Sequence, residues 1–257
     1  MGTINSRKIF LSIITGIALF QSTIHAATNI SSNTNTTASR DDNLTADVTL
    51  TSAANMTLGI ITTSIDNQGT LDLRDVVTTS TVGTSGKKLK EIKISSSTTT
   101  LGGAIFATTT TVDSGATLNT QTNNLTGTLS NAGTVTLGSG SDISGTISNT
   151  GTLTLGSGSV ISSAINNSGT LNLHDTATNT INGTGTINSA QTHTTTAIIG
   201  GSVAATALNI TANTFTMGAA VSATTTTVDS GATLNTGTNN LTGTLTNDGT
   251  VTLGSGA

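Results

Sequence analysis

The side chains best suited to catalysis or metal binding are few and scattered. The three histidines are His25, His174 and His193, and they lack the His-Glu-x-x-His spacing that places two imidazoles on one face of a metal-binding helix. The chain contains no cysteine. We therefore predict no metal site, no catalytic residue and no bound cofactor, and we interpret each histidine as a surface residue.

The carboxylates also lack the arrangement that sugar chemistry needs, which is two carboxyl groups within about 10 Å of each other. Asp113, Asp142 and Asp175 occupy different positions in the repeat described below, and the chain has no Trp or Tyr to support a sugar ring. We therefore predict that the chain is not an enzyme. A glycan-processing site is left as a minor alternative in the less regular stretch 41–75, which includes Asp66, Asp72 and Asp75.

Basic residues gather at one place, where Lys87, Lys88, Lys90 and Lys93 surround Glu91. One interpretation is a patch that contacts an anionic glycan or a lipid surface. The favoured interpretation is a solvated loop or strand edge that lysine keeps soluble. The neighbouring Gly83–Lys87 segment resembles a phosphate-binding loop only by chance, because the first glycine and the final Ser or Thr are missing.

The N-terminus has the pattern of an export signal. Arg7 and Lys8 precede an apolar stretch from Ile9 to Phe20, and a polar run ends at Ala26. These twelve residues span about 18 Å as a helix, against about 30 Å of hydrocarbon in a bilayer. We interpret residues 1–26 as a signal peptide. Its removal takes away two basic residues and no acidic one, so the net charge falls from −4 to −6, and we predict no nucleic-acid partner.

An 18-residue repeat dominates the rest of the chain. The string Asn-x-Gly-Thr-(Leu/Val)-x-Leu begins at Asn67, Asn131, Asn149, Asn167 and Asn247, and the middle three copies share this regular spacing. A longer duplication overlies it, because residues 108–140 recur as 224–256 with three differences. Repeats of this length indicate a solenoid, and the chain ends inside a repeat.

The apolar residues of the repeat predict short strands separated by corners. Their successive spacings are four, six, two and six, and they comprise Leu125, Leu129, Val135, Leu137, Ile143, Ile147, Leu153, Leu155, Ile161, Ile165, Leu171 and Leu173. Spacings of two and four place side chains on one face of a strand, so that Thr152 and Thr154 point the opposite way from Leu153 and Leu155. Gly, Ser, Asn and Asp fill the longer gaps, as turns require.

Identical units in tandem stack like on like, so the prediction is an all-β, single-stranded parallel β-helix with coils of about 18 residues. Asn131, Asn149 and Asn167 should form a side-chain ladder, and Gly133, Gly151 and Gly169 should mark one corner. We assign residues 61–257 to the repeat region. If coils begin as early as residue 27, about thirteen of them fit in residues 27–257. Residues 27–60 are a cap or a disordered segment.

The signal peptide and the Asn-x-Gly-Thr-Leu-x-Leu repeats, without cysteine, resemble the passenger region of Gram-negative autotransporters and filamentous-haemagglutinin-like surface adhesins. The resemblance covers residues 60–257. It implies a right-handed β-helix at the bacterial cell surface or outer membrane, or in the extracellular medium. Such passengers carry a C-terminal translocator barrel with aromatic girdles, and Phe106 and Phe215 are the only aromatic residues after the signal. We therefore expect the barrel to be absent from this chain, which is then a fragment, a protein exported by a separate partner, or a released protein.

Two functions follow as hypotheses alongside the minor glycan-processing one. In the first, the chain is an adhesin-type passenger that binds a host cell-surface or matrix ligand through the irregular segments 76–107 and 176–206. In the second, it is a structural filament or surface-layer element that self-associates without a specific ligand. Loss of the irregular segments abolishes binding under the first hypothesis and leaves assembly intact under the second.

Overall fold

A computed structural model describes residues 28–30, 34–36, 42–46, 49–52, 56–74, 77–96, 98–174, 179–195 and 197–255. The predicted signal peptide, Asp75 and Asp175 lie outside these residues. The described residues form β-strands and no helix. In chain order the strands are β1 (Thr28–Ile30), β2 (Thr34–Thr36), β3 (Asp42–Leu44), β4 (Thr49–Ser52), β5 (Met56–Thr57), β6 (Ile61–Thr63), β7 (Thr70–Leu73), β8 (Val77–Thr79), β9 (Leu89–Ile94), β10 (Thr98–Leu101), β11 (Ile105–Val112), β12 (Thr117–Asn119), β13 (Leu125–Asn131), β14 (Thr134–Thr136), β15 (Ile147–Asn149), β16 (Thr152–Thr154), β17 (Ile165–Asn167), β18 (Thr170–Leu173), β19 (Ile181–Asn182), β20 (Thr186–Ser189), β21 (His193–Thr195), β22 (Ala205–Ile210), β23 (Thr214–Met217), β24 (Val221–Val228), β25 (Thr233–Gly237), β26 (Leu241–Asn247) and β27 (Thr250–Leu253).

The strands stack into a parallel β-solenoid with two long sheets. The long face contains eleven strands in the order β26-β24-β22-β20-β18-β16-β14-β12-β10-β8-β5, and the second face contains nine in the order β19-β17-β15-β13-β11-β9-β7-β4-β2. Two smaller sheets, β1-β3-β6 and β21-β23-β25-β27, complete coils towards the two ends of the described residues. All described strand pairs are parallel, which confirms the predicted fold class; the handedness stays a prediction.

Each strand of the regular region pairs with its equivalent one repeat further along the chain. Thr134 pairs with Thr152, and Thr152 with Thr170. All twelve apolar residues that the spacing assigned to the inside are buried. Because every interior coil covers the apolar side chains of its neighbours, the core is a continuous column along the rod, as expected for a repeat that cannot bury its own apolar face alone.

Within the described residues the long face has eleven strands, fewer than the roughly thirteen coils predicted for residues 27–257, and many of its coils are longer than the regular repeat. Ile61 pairs with Val82 and Val82 with Ile105, and both steps exceed the one from Thr134 to Thr152. The additional residues form turns that leave the stack, and one of these turns contains Thr84–Lys87.

The predicted asparagine ladder is present and buried. The Nδ2 of Asn131 donates to the Oδ1 of Asn149 at 2.7 Å, and the Nδ2 of Asn149 donates to the Oδ1 of Asn167 at 2.7 Å. The first two amides also donate to backbone oxygens, those of Thr152 and Thr170. These bonds satisfy polar groups that would otherwise be costly to bury, and they fix the axial register of successive coils.

The glycine corner is also confirmed. A Cβ on Gly151 would lie 2.0 Å from the backbone oxygen of Gly133, and a Cβ on Gly169 would lie 2.1 Å from that of Gly151. Real atoms do not approach so closely, so the coils stack at this corner only because no side chain intervenes.

The two copies of the duplicated segment lie on different faces of the solenoid. Thr109–Val112 belongs to the second face, whereas its equivalent Thr225–Val228 belongs to the long face. Six successive strand pairs connect Thr225 to Thr117, which lies on the strand after the one that holds Thr109. Equivalent residues of the two copies therefore lie one face apart around the coil. Both faces accept the same segment because both require alternating inward and outward residues.

Candidate contact surfaces

Two straight columns of outward side chains follow the long face over nine strands, from β10 to β26. The first column consists of Thr98, Thr117, Thr134, Thr152, Thr170, Thr186, Ala207, Thr225 and Thr244. The second column lies two residues further along each strand and consists of Thr100, Asn119, Thr136, Thr154, Asn172, Asn188, Asn209, Thr227 and Thr246. Neither column contains a charged or an aromatic residue.

A hydrogen-bonded chain of side chains orders the middle of the second column. The Nδ2 of Asn172 donates to the Oγ1 of Thr154 at 3.0 Å. The Nδ2 of Asn188 donates to the Oδ1 of Asn172 at 2.9 Å, and the Nδ2 of Asn209 donates to the Oδ1 of Asn188 at 3.0 Å. Because these residues are half-buried, the ladder holds their side chains in place at the surface.

The middle of the first column has no such ladder of side-chain hydrogen bonds. No side-chain hydrogen bond within the described part of the chain involves the Oγ1 of Thr134, Thr152 or Thr170, and these threonines are half-buried. A β-branched side chain in a strand has few χ1 rotamers, so each hydroxyl and each methyl group has a restricted direction. The first column therefore offers a row of ordered hydroxyl and methyl groups.

The second face does not repeat this arrangement. Its regular coils contribute three-residue strands with one outward residue each, such as Ser148 and Asn166. Further towards the N-terminus its outward positions include Glu91 and Lys93. Paired columns over many successive coils are thus a property of the long face.

The four predicted lysines lie on and beside a protruding turn. Thr84 and Lys87 exchange backbone hydrogen bonds at 2.9 and 3.2 Å, which closes an exposed turn, and the backbone amide of Lys88 donates to Asp66 at 2.8 Å. Lys93 lies on β9, where its Nζ is 3.1 Å from the Oδ2 of Asp113. The hydrogen bond and negative charge of Asp113 raise the pKa of Lys93 above its ordinary value of 10.5. Lys93 is therefore paired, while Lys87 is the exposed cation of the turn.

Asp142 and Asp72 form contacts within the solenoid. Asp142 accepts a hydrogen bond from the backbone amide of Val160 at 2.8 Å, and Asp72 forms an ion pair with Arg74 at 2.8 Å. No group of three or more His, Asp or Glu side chains that could hold a metal ion occurs in the described residues.

His193 corrects one prediction from the sequence. It was expected at the surface, but it is 1% exposed and its ring centroid lies 5.5 Å from that of Phe215 in the next coil. In β21, His193 and Thr195 point inward and Thr194 outward. The alternation around position 193 therefore determines its burial, whereas residue type alone suggested exposure.

The second irregular segment, 176–206, is described from residue 179 except for residue 196. Its strand steps are uneven, because Ile165 pairs with Ile181 whereas Ile187 pairs with the more distant Leu208. Ile198 and Val203 are exposed at 46% and 48%. This part of the rod therefore presents isolated apolar side chains and no basic residue.

No family model matches the chain, and no curated protein or solved structure matches it either. The described residues include no helical segment with the length and hydropathy to span a bilayer.

Proposed function

We propose that the chain is an exported, adhesin-type passenger whose solenoid carries a basic contact turn away from its attachment point. The observation that carries the proposal is the turn at Thr84–Lys87, which leaves the stack, is exposed throughout and ends in a lysine. A solenoid can be extended by adding coils, because each new coil is stabilised by its neighbours, and the stack forms extended binding surfaces. The export signal at residues 1–26 and the resemblance to autotransporter passengers favour a cell-surface location.

The expected ligand is an anionic host-surface or matrix glycan. Lys87 and Lys88 lie together at the turn, whereas the segment 94–255 contains no Lys or Arg. Attraction of an anionic chain to the rod is therefore concentrated near this turn, and it should weaken as salt is raised, since exposed charges are screened within about 8 Å at physiological ionic strength.

The test is binding of the full chain to an immobilised sulfated glycan, with the double variant Lys87→Gln/Lys88→Gln. The control is Lys93→Gln, which removes a lysine that already has a carboxylate partner. We expect the double variant to lose at least fivefold in affinity and the control to lose less than twofold. Equal losses, or no binding by the unmodified chain, would reject the glycan contact and favour the structural-filament function.

Location is tested separately. Expression of the full chain in a Gram-negative host should remove residues 1–26 and place the chain outside the cytoplasm, which mass spectrometry and cell fractionation measure. Retention of the uncleaved chain in the cytoplasm would contradict export.

A further inference from the structure

We propose that the paired columns of the long face bind the surface of water ice. This goes beyond the adhesin function and does not depend on the basic turn. A ligand that engages nine successive rungs must itself repeat at the spacing of the rungs. Neighbouring parallel strands are about 4.8 Å apart, and residues two apart along a strand are about 6.7 Å apart, so the columns form a near-rectangular lattice.

Hexagonal ice has a matching lattice. Its oxygen positions repeat slightly more closely than the rungs along one axis and slightly more widely than the two columns along the perpendicular axis. Threonine suits such a surface, because its methyl group excludes loose water and its hydroxyl can replace a lattice water by donating and accepting hydrogen bonds. The unengaged hydroxyls of Thr134, Thr152 and Thr170 are available for this role.

The composition of the columns disfavours other ligands. They have no charge with which to attract an ionic partner, and no aromatic ring on which a sugar could stack. A second copy of the chain is disfavoured by area. Eight steps of about 4.8 Å give a length of about 38 Å, and a width of about 10 Å gives about 400 Å², half of the roughly 800 Å² that each partner contributes to a standard stable interface.

Rigidity makes a weak array effective. Each hydroxyl or methyl contact with ice is small, so binding requires that many of them fit at once without prior ordering. The buried ladder through Asn149 fixes the register of the coils from inside, and the ladder through Asn188 fixes it at the surface. The strand pairs between β10 and β22 carry the columns without a register shift.

The duplicated segment preserves the columns although it is rotated by one face. Ser130, which is outward on the second face in the first copy, is replaced by Thr246 in the second copy, and Thr246 lies in the second column of the long face. Thr244 and Thr246 therefore continue the pattern to the ninth rung. The one interruption of the first column is Ala207.

The test is the partition of the full chain into a slowly growing ice front, together with its inhibition of ice recrystallisation. The variant Thr152→Lys/Thr170→Lys places two long charged side chains in the first column. Its matched control is Ser148→Lys/Asn166→Lys, which adds the same charge to exposed residues of the same coils on the second face. Circular dichroism confirms that each variant is folded.

We expect the unmodified chain and the control to enter the ice at least fivefold more than the first-column variant, and to halt recrystallisation at concentrations at which that variant does not. Exclusion of the unmodified chain from ice overturns the proposal, as do equal losses in both variants. Binding to microcrystalline cellulose without binding to ice would assign the columns to a polysaccharide. A dimer in sedimentation that only the first-column variant dissociates would assign them to a second copy.

Discussion

Replacement of the central amide of the buried ladder, Asn149→Ala, should destabilise the solenoid strongly. The substitution removes three hydrogen bonds: one accepted from Asn131, one donated to Asn167 and one donated to the backbone oxygen of Thr170. At about 1 kcal/mol each, they amount to about 3 kcal/mol. The Nδ2 of Asn131 keeps its bond to a backbone oxygen, at 2.9 Å, so that donor is not orphaned.

The matched control is Asn172→Ala, in the surface ladder of the long face. Asn172 donates to Thr154 and accepts from Asn188, and it is half-buried. Water can replace the lost partners there, so we expect a cost of about 1 kcal/mol or less. The comparison separates burial from the mere presence of an amide ladder.

Urea unfolding followed by circular dichroism gives the difference in free energy of unfolding. Because a solenoid can unfold in parts, hydrogen exchange of β13 to β18 should be measured as well, and the loss of protection should be centred on β15. A cost for Asn149→Ala of less than about 1 kcal/mol, or one no larger than that of Asn172→Ala, would refute the assignment of register to the buried ladder.

Three further changes test other contacts. Thr226→Val should raise the free energy of unfolding by about 1 kcal/mol in a urea titration, because the buried Thr226 hydroxyl has no hydrogen-bond partner. Thr120→Val should lower the free energy of unfolding, because the Thr120 hydroxyl accepts a hydrogen bond from a backbone amide at 3.1 Å. Gly151→Ala should lower the free energy of unfolding by about 3 kcal/mol or more and lower the melting temperature, because the new Cβ would lie 2.0 Å from a backbone oxygen. Gly86→Ala should leave the melting temperature unchanged, because a Cβ at that position has no atom within 4 Å. Lys93→Met should lower the free energy of unfolding by less than about 1 kcal/mol at pH 7, since the ion pair of Lys93 is exposed. This difference should vanish in strongly alkaline buffer, where the pH exceeds the raised pKa of Lys93 and the ion pair is lost. A difference that stays the same in alkaline buffer would contradict the pairing.

The regular coils could be predicted from the sequence because a single 18-residue period determines which side chains face inward. Leu153 and Leu155 are inside and Thr152 and Thr154 outside, as the alternation required. The buried Asn149 followed from the same period, since identical residues in stacked coils meet.

Where the period varies, the sequence was less informative. The step from Val82 to Ile105 is longer than the regular repeat, and no pattern in that segment specifies where the additional residues leave the stack. The rotation of the duplicated segment has the same origin, because the offset between its two copies is not a multiple of the regular period. Only the strand pairs show that Thr225 stacks over Thr117 instead of Thr109. The paired columns had a detectable signal in the outward Thr152 and Thr154, but their length depended on how the irregular coils continued the stack.

The central claim is that successive coils stack in parallel with a constant rise. It is tested most directly by distances between pairs of spin labels, which can be attached to engineered cysteines because the chain has none of its own. With one label at Thr117 and the second at Thr186, Thr225 or Thr244, which lie four, six and seven rungs away, the backbone separations should be about 19, 29 and 34 Å. Measured distances that increase in these steps confirm the stack; a distance from Thr117 to Thr225 that does not exceed the distance to Thr186 would contradict it.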